Sequence, residues 1–297
     1  MSSQTYVPSR VDLKAKKKIH ISFGKIMLYF FMLLMLAFMI IPLVYVFLTS
    51  LKPLDELLKY PPPIFVKNPT FQNYRDMVTA FSSTTVPFLR YVFNSLFTTL
   101  AITCSTVFIS TLAGYSLVKL RVKAANTIFN IVVAAMMFVM SATTIMNYLI
   151  VNELGFIDTY WALIIPKIAV PTYVFLVKQF AEQIPNSLLE AARIDGATEM
   201  RTFVRIAMPM MKPALVTVFM FAFNANWSDG VTSLYYVTDE AKRTLPLAIT
   251  TLSSAGGLAR TGATAAISAI MIVPSIIVLI LSQSQVQKTM AHSGIKA

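Results

Sequence analysis

Residues 26–51 read IMLYFFMLLMLAFMIIPLVYVFLTSL, without a single charge. About 20 apolar residues cross the hydrocarbon core of a bilayer as a helix, so this stretch is long enough to span once. It is apolar on every side, which excludes a membrane β-barrel strand, where apolar and polar residues alternate. The polar tail before it carries Arg10, Lys14, Lys16, Lys17, Lys18 and Lys25. A basic start and an apolar run also describe a signal peptide, but there the run has about 7–15 residues and ends in a small-residue cleavage site. Neither feature is present. The reading is an uncleaved first span at 26–48 behind a cytoplasmic tail, 1–25.

Outward from this run, charge-free stretches recur at 91–118, 124–152, 213–228 and 261–287. A further apolar segment, 159–181, carries Lys167 and is interrupted by Pro166 and Pro171. Prolines are tolerated in spans whose neighbours satisfy the freed carbonyls. Spans are predicted near 26–48, 90–117, 127–150, 159–180, 211–234 and 264–284. The expected fold is all-α, a polytopic membrane protein with six transmembrane helices. An extracytoplasmic loop fills 49–87, five spans form a core at 88–284, and a cytoplasmic tail follows at 285–297. Pro61, Pro62, Pro63 and Pro69 make the loop an extended strap, either a connector or a docking surface.

Composition agrees. The chain is 56% hydrophobic and 13% charged, against about 25% charged in soluble domains, which excludes soluble and disordered classes. The net charge of +12 does not require nucleic acid. With the N-terminus inside, the inner segments hold sixteen Lys and Arg and the outer ones eight, as cytoplasmic loops require. That orientation makes the chain a multi-pass membrane protein with both termini cytoplasmic. Cys104 alone excludes an internal disulfide and is read as a buried structural residue. His20 and His292 offer no metal-ligand spacing, and no P-loop is present, so no metal or cofactor is expected. An embedded enzyme would need clustered acids or a His–acid pair. A self-contained secondary transporter would show two related halves. Neither is found.

Residues 182–208 are too long for a plain connector. Ser187 and Glu190 have capping-box spacing, predicting a helix from Leu188 to about Asp195. Gly196 supplies the left-handed residue that ends it. Thr198 caps a second helix to about Ala207, with Met200, Phe203 and Ala207 on one face. Pro209 and Pro213 suit the start of the next span. From Glu190 to Arg205 the acids and bases balance, which argues against DNA and an anionic membrane surface. A protein partner or an amphipathic connector remains.

The pattern E-A-A-x-x-D-G-A, then F-x-x-I-x-x-P-x-x-x-P, resembles the EAA loop of binding-protein-dependent ABC importer permeases. It is carried by Glu190, Ala191, Ala192, Asp195, Gly196, Ala197, Phe203, Ile206, Pro209 and Pro213. Met208 replaces the usual Leu. Further likeness to the maltose-type, carbohydrate-uptake subfamily lies in Thr70 with Asn73-Tyr74, in Asn94-Ser95, in Ala113-Gly114-Tyr115-Ser116, in Leu154-Gly155 and in Thr244-Leu245-Pro246. Gly114 stands for an Ala. Ser228, after Trp227, stands where Asn is usual.

The resemblance implies the type I ABC importer permease fold and a transport subunit without catalysis. It implies a heterodimer with a second permease, two cytoplasmic ATPases and an extracytoplasmic solute-binding protein that delivers a sugar. The alternative solute is a polyol, amino acid or peptide. Glu190, Ala191, Ala192, Asp195, Gly196, Ala197, Phe203, Ile206 and Pro209 would couple to the ATPase, Glu190 being either a cap alone or also a contact. The loop 238–262 would reach the binding protein with Ser253, Ser254, Gly256 and Gly257 at its tip, or be an ordinary flexible loop. Tyr148, Tyr173, Phe223, Trp227 and Asp229 are candidates for the substrate path. Asp229 is otherwise a solvated boundary residue.

Overall fold

A computed structural model of the chain describes residues 23–82, 86–120, 122–138, 140–256 and 260–294. Most of these residues are helical, with no strand among them. Two units are distinguished, Met1–Tyr45 and Val46–Ala297. The first contains most of α1 (Phe23–Ser50), an unbroken apolar helix despite Pro42.

The second unit opens with short helices α2 (Leu54–Leu57) and α3 (Gln72–Ser82). The stretch read as an extended strap is folded here. The buried Glu56 carboxylate accepts from the backbone N–H groups of Lys67 (3.2 Å) and Asn68 (3.0 Å). The Asn73 amide donates to the carbonyls of Ser50 (2.9 Å) and Lys52 (2.7 Å). Buried polar groups are tolerated because each of these has its partner.

Helix α4 (Phe88–Lys119) is central and starts directly after Pro87. It packs on α8 (Pro171–Glu182) and α12 (Lys212–Trp227), and α12 packs on α15 (Thr261–Gly294). Its buried face carries Ser95, Thr98, Thr99, Thr103, Thr106 and Ser110. Inside a membrane helices gain little from burying apolar area against one another, so small residues that permit close approach are favoured at contacts. Gly114 marks the tightest point. A Cβ there would stand 2.9 Å from the Lys178 backbone nitrogen. Cys104 lies on the opposite side and is exposed, contrary to the expectation from its burial preference: in a spanning helix the outward face is apolar too.

Among the described residues, three unbroken helices are long and apolar enough to cross a membrane: Phe23–Ser50, Phe88–Lys119 and Thr261–Gln287. Counting two bent pairs as one span each raises this to five. The first pair is α7 (Tyr160–Ile164), continued by a 3-10 turn at Ile165–Lys167, with α8, bent by 45°. Pro166 and Pro171 lie at that break. The second joins Glu199–Met210 to α12 with a bend of 77°. The third predicted span, 127–150, falls instead on two shorter helices, α5 (Ala125–Ala135) and α6 (Met140–Glu153). The predicted fifth span stops at Trp227 and resumes as α13 (Val231–Tyr236).

Candidate functional site

The segment between α8 and α12 begins with α9 (Asn186–Ile194). Pro185 precedes the helix and no side chain caps it. The expected Ser187–Glu190 capping box is therefore absent, because the helix starts early enough to enclose Ser187. Leu189 is buried in one cluster with Tyr115, Val177, Ala181 and Ile184, and Ala192 is also buried. Leu188, Glu190, Ala191 and Ile194 are exposed, Ile194 at 86%.

The end of α9 matches expectation. Gly196 has φ +78°. Its N–H donates to Arg193 (3.1 Å), and the N–H of Ala197 reaches back to the Ala192 carbonyl (2.9 Å). This paired return satisfies carbonyls a helix end would leave open. The Arg193 guanidinium grips both carboxylate oxygens of Glu199 across the turn, at 2.7 and 3.2 Å. That hydrogen bonding is the main cause holding Arg193 above its ordinary pKa. Sequence reasoning missed this clamp, although opposite charges flanking a glycine turn are its visible trace.

Thr198 caps α10 (Glu199–Thr202), accepting from the Arg201 N–H at 3.3 Å. A π-turn over Phe203–Ala207 and α11 (Met208–Met210), with Pro209 inside it, lead to α12. Phe203 and Ala207 are buried, Ile206 is half-buried, and Phe203 meets Tyr115 with ring centroids 5.0 Å apart. Met200 does not share their face and is 64% exposed. α10 lasts only four residues, and Thr202 takes the inward position next to Phe203. Lys119, unanticipated, ties the end of α4 to the start of this segment. Its ammonium donates to the Ile184 carbonyl (2.7 Å) and to Asn186 Oδ1 (2.9 Å).

At the other end of α4, motifs far apart in sequence meet. Asn94 donates to the carbonyls of Ala241 and Arg243, both at 2.9 Å, and accepts from the Tyr160 hydroxyl at 2.7 Å. Ser95 Oγ accepts the Leu245 N–H at 2.7 Å. A 3-10 turn, Glu240–Lys242, is capped by Asp239, whose carboxyl the Ala241 N–H and then Lys242 hold below its ordinary pKa. The stretch expected to be a loop at 238–262 contains the 12-residue helix α14 (Leu245–Gly256). Ser253 and Ser254 lie on it, with hydroxyls returned to the carbonyls of Ile249 and Thr250, both at 2.8 Å. A Ser- and Thr-rich run passes for a loop by composition, but these hydroxyls bond within the helix. Gly256 is its last residue, and Gly257 lies outside the described residues.

Asp229 is not the solvated boundary residue of the alternative reading. It forms an ion pair with Lys167, the side chains being 19% and 14% exposed. Phe223 and Trp227 are buried and stacked, centroids 5.8 Å apart, and the Trp227 indole donates to the Met271 carbonyl at 2.9 Å. Tyr148 is partly exposed and stacks on Tyr236 at 6.2 Å. Tyr173 is half-buried beside the α8 cluster. Neither the cavity beside α3 nor the one beside Glu240 is lined by any of the five path candidates. No group of three or more His, Cys, Asp or Glu among the described residues could hold a metal.

Comparison with known proteins places this geometry. Protein LplC of Bacillus subtilis is 36% identical over 213 residues, 72% of this chain and 70% of that one. The arabinooligosaccharides transport system permease protein AraQ of the same species is 32% identical over 228 residues, 77% of this chain and 80% of that one. The crystal structure of a bacterial ABC transporter involved in import of the acidic polysaccharide alginate has a chain that superposes with a TM-score of 0.76. It is 21% identical and covers 89% of this chain and 98% of its own. The family model for the binding-protein-dependent transport system inner membrane component matches residues 21–291. The chain therefore belongs to this family of transport-system membrane components.

Proposed function

We propose that the chain is one of two permease subunits of an ATP-driven importer of sugars, oligosaccharides in particular, working with two cytoplasmic ATPases and a solute-binding protein. The observation that carries this reading is the two-sided coupling segment. Leu189, Phe203 and Ala207 anchor it in the helical body and Ala192 is buried, while Leu188, Glu190, Ala191, Ile194 and Met200 stand exposed. A helix anchored by one apolar face and open on the other is suited to lie in a partner's groove. Gly196 and Ala197 set the turn, Asp195 and Pro209 stand exposed at either end of the second half, and Ile206 backs Phe203. On this reading the ATPases push on the segment, and α8 and α12 carry the displacement into the membrane.

The sugar class is supported by the likeness to AraQ. Six spans follow if α5 and α6 together make one broken span beside the five. The excess of basic residues on the segments here assigned inside supports cytoplasmic termini. Ser253, Ser254 and Gly256 are then near the extracytoplasmic docking face. Tyr148 and Tyr173 retain enough exposure to meet solute, whereas Phe223 and Trp227 would need repacking. The test is reconstitution of the full complex in proteoliposomes with its binding protein. Uptake of a labelled arabino- or malto-oligosaccharide, dependent on ATP and on the binding protein, is expected. Uptake competed only by amino acids or peptides would overturn the sugar class.

A further inference from the structure

The segment from 183 to 211 joins one end of α8 to one end of α12. At about 1.5 Å per residue, these helices of 12 and 16 residues reach roughly 18 and 24 Å away from it. At their far ends both chains break: Lys167 closes the 3-10 turn before α8, and Asp229 follows the end of α12. Lys167 and Asp229 pair across these breaks. The two carboxylate oxygens divide their work. Oδ1 accepts the backbone N–H groups of Val231 (2.9 Å) and Thr232 (3.2 Å), capping α13, and Oδ2 accepts from Lys167 and the Thr232 hydroxyl (2.6 Å). The Lys167 carbonyl accepts from Thr106 Oγ1 at 3.3 Å, fixing the same turn to α4.

We propose that the Lys167–Asp229 ion pair is a positioning latch that ties the far ends of α8 and α12 together. The two helices leaving the coupling segment then move as one lever. Ionisable groups at membrane depth are expensive and are kept paired. Separating this pair would strand two largely sequestered charges, so the helices cannot splay when the segment is pushed. The proposal rests on the import-permease reading.

Three variants test it in the complete transporter: Lys167→Met, Asp229→Asn, and both together. Asp229→Asn keeps an oxygen for the α13 cap, removes the charge, and puts an amide donor in place of the oxygen that accepts from Lys167 and the Thr232 hydroxyl. Each single variant leaves one buried charge without its partner and should lower the yield of assembled complex. In the complex that does assemble, ATP hydrolysed per solute carried should rise about fivefold or more. The double variant should recover yield, because no orphan charge remains, yet keep the raised ratio, because the latch is gone. A role in folding alone would lower uptake and hydrolysis together, and an unchanged ratio in the variants would overturn the latch. Failure of the wild-type complex to import any sugar would overturn the functional reading instead. A double-mutant cycle on the melting temperature of the permease in nanodiscs then decides the pair without solute: non-additive shifts support it, and additive shifts overturn it.

Discussion

Gly196 illustrates what a single position can dictate. With φ +78° it adopts a conformation that costs an L-residue about 1–2 kcal/mol and a β-branched one more. Gly196→Val should leave the permease in the membrane but abolish most ATP-driven uptake, whereas Gly196→Asn, which tolerates this region, should retain much of it. Uptake normalised to membrane abundance distinguishes them. A second glycine acts through space. A Cβ on Gly262 would run into the Asn73 amide, which holds the Ser50 and Lys52 carbonyls. Gly262→Ala is expected to destabilise by about 1–3 kcal/mol, read as a lower melting temperature of the purified permease. Gly196 was legible in the sequence because a helix end followed by Gly has a local meaning. Ser187 misled for the same local reason: its spacing to Glu190 fitted a cap, but Pro185 begins the helix before it. The contact between Gly262 and Asn73 depends on segments 189 residues apart, and no local pattern announces it.

At the scale of elements, the segment between α8 and α12 is held from outside as well as from within. Lys119 reaches it from α4, and hydrogen bonds to charged groups contribute about 1.5–3 kcal/mol at most, less when solvated. Lys119→Met should raise amide hydrogen exchange across 186–195 while leaving α8 protected. The Glu240–Lys242 turn offers a pH test. Asp239 has its pKa lowered in the folded state, so its contribution is present above the ordinary carboxyl value of about 3.9. It is lost as pH falls through the lower folded value. The protection factor of the Ala241 amide, its exchange relative to the unfolded chain at the same pH, should be high at pH 5 and fall as the pH drops through the lowered carboxyl range. The long charge-free runs foretold α4 and α15 well, since length and apolarity are what crossing a membrane demands. They could not foretell the break between α5 and α6, because residues 127–150 remain apolar through it, and hydropathy is silent on where a helix stops. The Ser and Thr residues of α14 show the converse: polar composition concealed a helix whose hydroxyls bond to its own backbone.

For the molecule as a whole, orientation is the open quantity that the basic residues address. Reporter fusions at Thr198 and at Gly257 are expected to signal from opposite sides of the membrane. Signals from the same side would refute the six-span arrangement. The family was legible because its motif lies in one contiguous stretch, 190–213, whereas the pairing of Lys167 with Asp229 joins positions 62 residues apart and exists only once the helices pack. One feature of α4 also has an experimental use. The chain carries a single thiol, and Cys104 presents it on the side of α4 away from the hydroxyl-rich contact face. A fluorophore or spin label would attach to the native sequence at one known point, without first stripping competing cysteines. Its mobility and emission would report, in real time, when that outer flank of the helix passes between lipid, water and neighbouring protein.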